Sequence, residues 1–260
     1  TLQGLDLTLP AGCIMGLIGE NGAGKSTTIR LILNSLGRDG GTIAVYGRDN
    51  RAMTPLERED IGVVLDEVGL PEYMNAAQIG RMMAGIFTRW QPEVYAGCLH
   101  RLSLPQDKPF KDFSRGMKMK LGLAVALSHQ PKLLLLDEAT GGLDPVVRDE
   151  ILTIFADFTR DETHAVLLSS HIVSDLEKIC DYIAFLHKGR LLLCEEKDRL
   201  TEDYGVLRGS PEGIAPAAVC GHRTTPYGTE YLVRRSAVPV GTPLGQVNIE
   251  DLFVFMAKEA

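Results

Sequence analysis

No apolar run in this sequence is longer than six residues, 252–257, whereas a membrane-crossing helix needs roughly 20. If the protein works at a membrane, another chain does the crossing. No secretory signal is visible in a sequence that opens on Thr1 without a methionine. Positive charge is in deficit: the net charge is −7 and the isoelectric point about 5.4, which argues against broad binding to nucleic-acid phosphates. Paired cysteines are missing too. The five cysteines, at 13, 98, 180, 194 and 220, are scattered, odd in number and without a CxxC pair. They read as reduced cytosolic thiols that mostly pack in the core. No internal repeat and no low-complexity segment breaks the chain.

What is present is an alternation of strand-like and helix-like segments. Over 260 residues the chain is 45% hydrophobic and 23% charged, an ordinary composition for one large domain or a core with attachments. Residues 13–18 read as a buried strand, and 26–36 as a helix with Ile29, Ile32, Leu33 and Leu36 on one face. A short β segment at 41–46, a strand at 61–65 and a breaker-rich helical stretch at 71–110 follow. Helical spacing from Met117 to Ser128 stops at Pro131, before a continuous apolar strand at 133–136. A helix at 146–158, a strand at 165–169, a helix at 174–179 and a hairpin across His187-Lys188-Gly189 complete the pattern. Such alternation predicts an α/β fold with a mainly parallel sheet. The predicted division is a core of 1–66 and 115–200, a helical subdomain at 67–114, and a small C-terminal β-containing appendage at 201–260.

The stretch "GENGAGKST", residues 19–27, spends three glycines on a strand-to-helix turn. Glycine there costs stability unless something needs bare backbone. The match to G-x-x-x-x-G-K-[ST] at Gly19, Gly24, Lys25 and Ser26 supplies the reason. Backbone N–H groups of this loop, including Asn21, Gly22, Ala23 and Thr27, can wrap phosphates at a helix N-terminus, where the dipole also favours anions. Lys25 would reach the β- and γ-phosphates, and Ser26 would hold Mg²⁺. A plain flexible turn does not explain the lysine in that place.

A second motif is "LLLLDEAT", 133–140. Two adjacent carboxylates ending a buried strand are costly unless they meet a cation or a reacting proton. Asp137 sits where α/β sheets bind ligand and suits a magnesium shell, and Glu138 can polarise a water for attack on the γ-phosphate. These two motifs fit kinases, GTPases and many motors, although no N-K-x-D guanine motif occurs.

The stretch "FSRGMKMKLGLA", 113–124, separates these. It resembles the signature motif of ATP-binding cassette (ABC) ATPases. "GGLD", 141–144, resembles that family's D-loop; "SSH" ending at His171 resembles its switch histidine; "VVLDE", 63–67, falls at its glutamine loop. The resemblance spans residues 2–200 in order and points to the separate cassette subunit of a bacterial exporter for drugs, peptides or lantibiotics. It implies a P-loop NTPase (RecA-like) core with an antiparallel β subdomain and an inserted helical subdomain, binding ATP and Mg²⁺. It also implies head-to-tail pairing with a second cassette, as homodimer or heterodimer. Ser114 and Gly116 would then touch the partner's nucleotide, and Asp144 would lie at the dimer interface. Glu138 and His171 would be catalytic, with Ser26, Asp137 and Asp66 at the metal. A transmembrane permease would hold the subunit at the cytoplasmic face of the membrane, with no nucleic-acid partner.

This sequence departs from the family in several places. Asp66 stands for the usual glutamine, Arg115 for the first signature glycine, Met117 for the signature glutamine and Ala139 for a proline. The family's adenine-stacking aromatic would lie upstream of Thr1. Ser114 also suits an ordinary helix N-cap, and Lys118 and Lys120 read as a solvated helix face. In the family, a groove beside the glutamine loop receives a short helix of the permease. Here residues 66–89 would line it, with about half of their apolar side chains in the subdomain's own core and Tyr73 and Met74 facing the partner. A soluble ABC-type ATPase on ribosomes or DNA is the competing reading. It usually carries two cassettes or a coiled-coil insertion, and neither is seen here.

Overall fold

The structure, a computed structural model, describes residues 2–259. Strand β1 (Ile14–Ile18) is buried along its whole length and leads through the glycine loop into α1 (Lys25–Ile32). That helix ends four residues before the predicted limit of 36, because Asn34 turns left-handed (φ 55°). The predicted 41–46 segment is a tight hairpin, β2 (Ala44–Val45) and β3 (Arg48–Asp49). Tyr46 and Gly47 both take positive φ between them, as this kind of two-residue turn requires. Helix α2 (Pro55–Arg58), started by a Thr54/Glu57 capping box, precedes β4 (Ile61–Val64).

The breaker-rich stretch holds α3 (Ala76–Ala84), with its own Asn75/Gln78 capping box, and α4 (Pro92–Arg101). A single 3₁₀ turn (Phe110–Asp112) then leads to α5 (Arg115–Leu127). Beyond it lie β5 (Leu133–Asp137), α6 (Pro145–Phe158), β6 (Ala165–Ser170), α7 (Val173–Ile179), β7 (Tyr182–His187) and β8 (Arg190–Glu196).

Six strands form one sheet in the order β4-β5-β6-β1-β7-β8, all parallel except β8. Period-2 side chains divide it into two faces. Ile14, Ile18, Leu134, Leu136, Val166 and Leu168 pack on one side, and Met15, Leu17, Leu133, Leu135 and Leu167 on the other. Each such side chain contributes about 1.5–3 kcal/mol on burial, which explains why these strands are apolar without interruption. Helix α5 serves two cores: Met119 and Leu123 face the sheet, while Leu121, Ala124 and Val125 join Ile79, Tyr95 and Phe110 of the helical part. A buried carboxylate fastens this junction. Glu59 accepts the backbone N–H groups of Thr88 and Arg89 at 2.9 and 3.0 Å, and Asp60 pairs with Arg89 at 2.8 Å.

The C-terminal segment comprises α8 (Lys197–Asp203), β9 (Tyr204–Arg208), β10 (Val219–Thr225), β11 (Gly228–Arg234) and α9 (Ile249–Glu259). Its strands make an antiparallel sheet in the order β10-β11-β9. It does not stand apart: Tyr204, Leu232, Leu252 and Phe255 share one cluster with Ile14, Leu176 and Phe185. The apolar run 252–257 belongs to α9, whose burial against the first face accounts for it. Among the described residues all five cysteines are free, and only Cys180 is buried, its thiol pushed up by desolvation.

Candidate functional site

The phosphate loop is shaped by two separate demands on glycine. Gly22 and Gly24 adopt φ of 84° and 114°, a region that residues other than glycine rarely adopt. Gly19 is required for another reason, since a Cβ there would collide with the Leu186 carbonyl of β7. Within the loop Asn21 is exposed, Ala23 buried, and Ser26 and Thr27 half-buried. Lys25 begins α1 and is only 6% exposed. Its ammonium donates to the Gly19 carbonyl at 2.6 Å and lies 3.3 Å from Glu138 Oε1.

The sheet order places the acidic pair opposite that lysine. One strand, β6, lies between β1 and β5, so the carboxyl end of β5 faces the loop. Asp137, 4% exposed, accepts the Ser169 hydroxyl at 2.6 Å, and among the described residues no cation pairs with it. A buried carboxylate without a counter-ion is costly. That carboxylate, with the Ser26 hydroxyl in the first turn of α1, fits a hard divalent cation that keeps part of its shell from water and phosphate. Glu138 is held at positive φ (52°), and its N–H donates to Ser169 Oγ at 3.1 Å. A non-glycine residue there stores strain of about 1–3 kcal/mol. The turn leaves its carboxylate between two groups: Lys25 on one side and His171 Nδ1 at 2.6 Å on the other.

The remaining candidates gather at a second, more open place. Ser114 caps α5 by accepting the Met117 N–H at 3.3 Å, which is its ordinary structural role. Gly116 follows in the first turn, near Val147 and Leu143. Asp144 caps α6, accepting the N–H groups of Val146 and Val147 at 3.1 and 3.0 Å. Asp66 shares no contact with Asp137 or Ser26; it pairs with Arg115 at 2.6 Å, each side chain 52% exposed. Lys118 and Lys120 are no solvated face. Lys118 lies over the Phe110 ring, and Lys120 pairs with Glu150 at 2.7 Å, because α5 is covered along most of its length. In the 66–89 stretch Tyr73 is 78% exposed, but Met74 packs against the helical core.

Ser169, which joins both acidic residues, escaped the sequence reading. It pairs in register with Asp137 across the β5–β6 ladder, so aligning the ends of the two parallel strands would have found it.

Fold and site together define a P-loop nucleotide-binding protein with an acidic pair one strand removed from the phosphate loop. The family model for the ABC transporter matches residues 2–141. The lantibiotic transport ATP-binding protein SrtF of Streptococcus pyogenes is 33% identical over 204 residues, covering 76% of this chain and 85% of that protein. The daunorubicin/doxorubicin resistance ATP-binding protein DrrA of Streptomyces peucetius is 35% identical over 198 residues, 74% of this chain and 59% of that one. A solved structure described as the ATP binding subunit of an ABC transporter superposes with a TM-score of 0.68 at 26% identity, covering 77% of this chain and 85% of that one. The chain belongs to the ABC transporter family, as one of its ATP-binding cassettes.

Proposed function

We propose that this chain is the ATP-hydrolysing subunit of a bacterial exporter, working with a second cassette and a transmembrane permease at the cytoplasmic face of the membrane. The observation that carries the reading is the linked set Lys25–Glu138–His171 beside the Asp137–Ser169 pair. Lys25 hydrogen-bonds to its own loop here; a bound triphosphate offers it stronger, charged acceptors in the same place. Glu138 accepts the proton of the water that attacks the γ-phosphorus as the bond to ADP breaks, and His171 orients the Glu138 carboxylate. Ser26 and Asp137 would hold Mg²⁺, which neutralises charge developing on the phosphates; Asp66 is paired with Arg115 instead and lies outside that set.

Export is supported by the names of the relatives, which concern lantibiotic transport and drug resistance. Among the described residues no helix is long and apolar enough to cross a membrane, so the crossing falls to the permease. Tyr73 and Ile86, 61% exposed in the same stretch, are the side chains offered to it. Ser114, Gly116 and Asp144 are assigned to the face that meets the second cassette. The test is reconstitution with the permease: the wild type should couple ATP hydrolysis to export, and E138Q should bind ATP yet move no cargo. Hydrolysis by E138Q at the wild-type rate would overturn the assignment.

A further inference from the structure

Arg115 and Asp66 are both unusual for the motifs they occupy, they lie 49 positions apart, and their side chains meet. The guanidinium does more than pair with a carboxylate. It lies over the D-loop glycines: a Cβ on Gly142 would come within 3.1 Å of Arg115 Nη1, and one on Gly141 within 3.6 Å of Nη2. One side chain therefore spans the start of α5, the loop after β4 and the loop between β5 and α6. The glycine usual at this position could make none of these contacts.

We infer that Arg115 is a positioning residue for the nucleotide reaction, seated by Asp66 against Gly141 and Gly142, and that the two act as one unit fixing the start of α5. The inference rests on the proposed function, in which Ser114 and Gly116 meet the partner's nucleotide. Besides this pair, the first turn of α5 is held by the Ser114 cap and by half-buried Met117 against the helical core. Ser114 is exposed, and the helix's deeply buried side chains begin only at Met119. Reacting groups must be placed within about half an ångström to act efficiently. A planar guanidinium held by a carboxylate beside these two glycines supplies that constraint in a way an ammonium does not.

The test is a double-mutant cycle in the E138Q background, read as the ATP concentration that drives pairing with a second cassette, either its own copy or the heteromeric partner. R115A and D66N should each raise that concentration by about tenfold. R115A combined with D66N should be no worse than either alone, a coupling of about tenfold. R115K should recover part of the loss. With Glu138 intact, R115A should lower kcat and raise the ATP concentration for half-maximal hydrolysis about as much as that for pairing, while ATP binding by the single chain stays unchanged. Thermal midpoints should move by less than about 2 °C, because a half-exposed pair contributes little to folding. Additive losses, or R115A pairing as readily as its parent, would overturn the inference and leave the proposed function standing. Failure of E138Q itself to bind ATP or to pair would overturn both.

Discussion

The two halves of the candidate site are built in opposite ways. Lys25, Asp137 and Glu138 are nearly buried and tied to one another or to backbone, on a sheet whose central strands have no exposed residue. Ser114, Asp66, Arg115 and Asp144 lie in the open at helix starts and loop ends, held by single caps and one half-exposed ion pair. A buried polar set tolerates no missing member, since each loss strands a partner away from water. An exposed set tolerates its own disorder until another surface covers it. The contrast fits the proposed function, in which one half is complete within a single chain and the other is completed by a second.

Breaking the buried half should have the largest effect. E138Q keeps the shape of the side chain and removes the proton acceptor, so turnover should fall about 10²- to 10⁴-fold while bound ATP persists in a filter-binding assay. Lys25→Ala comes next. Losing a charged contact to the phosphates should weaken ATP binding by roughly 10- to 100-fold, measurable by calorimetry. S114A, in the open half, should leave ATP affinity of the single chain unchanged and cost the α5 cap about 1 kcal/mol. Its larger effect should appear only when pairing is measured.

The junction between the helical part and the core sharpens the comparison, because it is buried yet remote from the nucleotide. Burial alone would push the Glu59 carboxyl up, but the N–H groups of Thr88 and Arg89, the Thr88 hydroxyl and the Arg89 charge outweigh it and hold it below 4.5. Desolvation pulls the His129 imidazole, stacked on Phe87 with ring centres 4.2 Å apart, below 6.5. In both cases the unfolded chain binds more protons, so stability rises with pH across the window between folded and unfolded values. Stability should therefore fall as pH drops below about 6.5 through His129, and again below about 4.5 through Glu59. Urea midpoints at pH 7.5 and 5.5 should differ in the wild type, and less in H129F. E59Q should cost about 2 kcal/mol at neutral pH.

Sequence alone reached the buried half more fully than the open one, for physical reasons. An uninterrupted apolar strand such as Leu133–Asp137 and a glycine loop ending in Lys25 are local patterns, and their chemistry follows from neighbours in the chain. Ser169 required the register between two parallel strands. The Arg115–Asp66 pair required knowing how α5 sits against the loop after β4, which no local pattern encodes. The same limit hid how residues 201–260 pack: Phe255 and Leu232 join Ile14 and Phe185 only through tertiary packing. Helix α1 ran long in the reading because Asn34, helical by apolar spacing, turns the chain instead.

The central claim, that one half-site is complete and the other needs a partner, is tested most directly by sedimentation of E138Q together with its natural partner cassette (a second copy of this chain or a distinct one). Without nucleotide the chains should sediment as monomers, each still able to bind ATP; at saturating ATP with magnesium they should sediment as a dimer. Cassettes that remain monomeric with ATP bound, or pair equally well without it, would contradict the account.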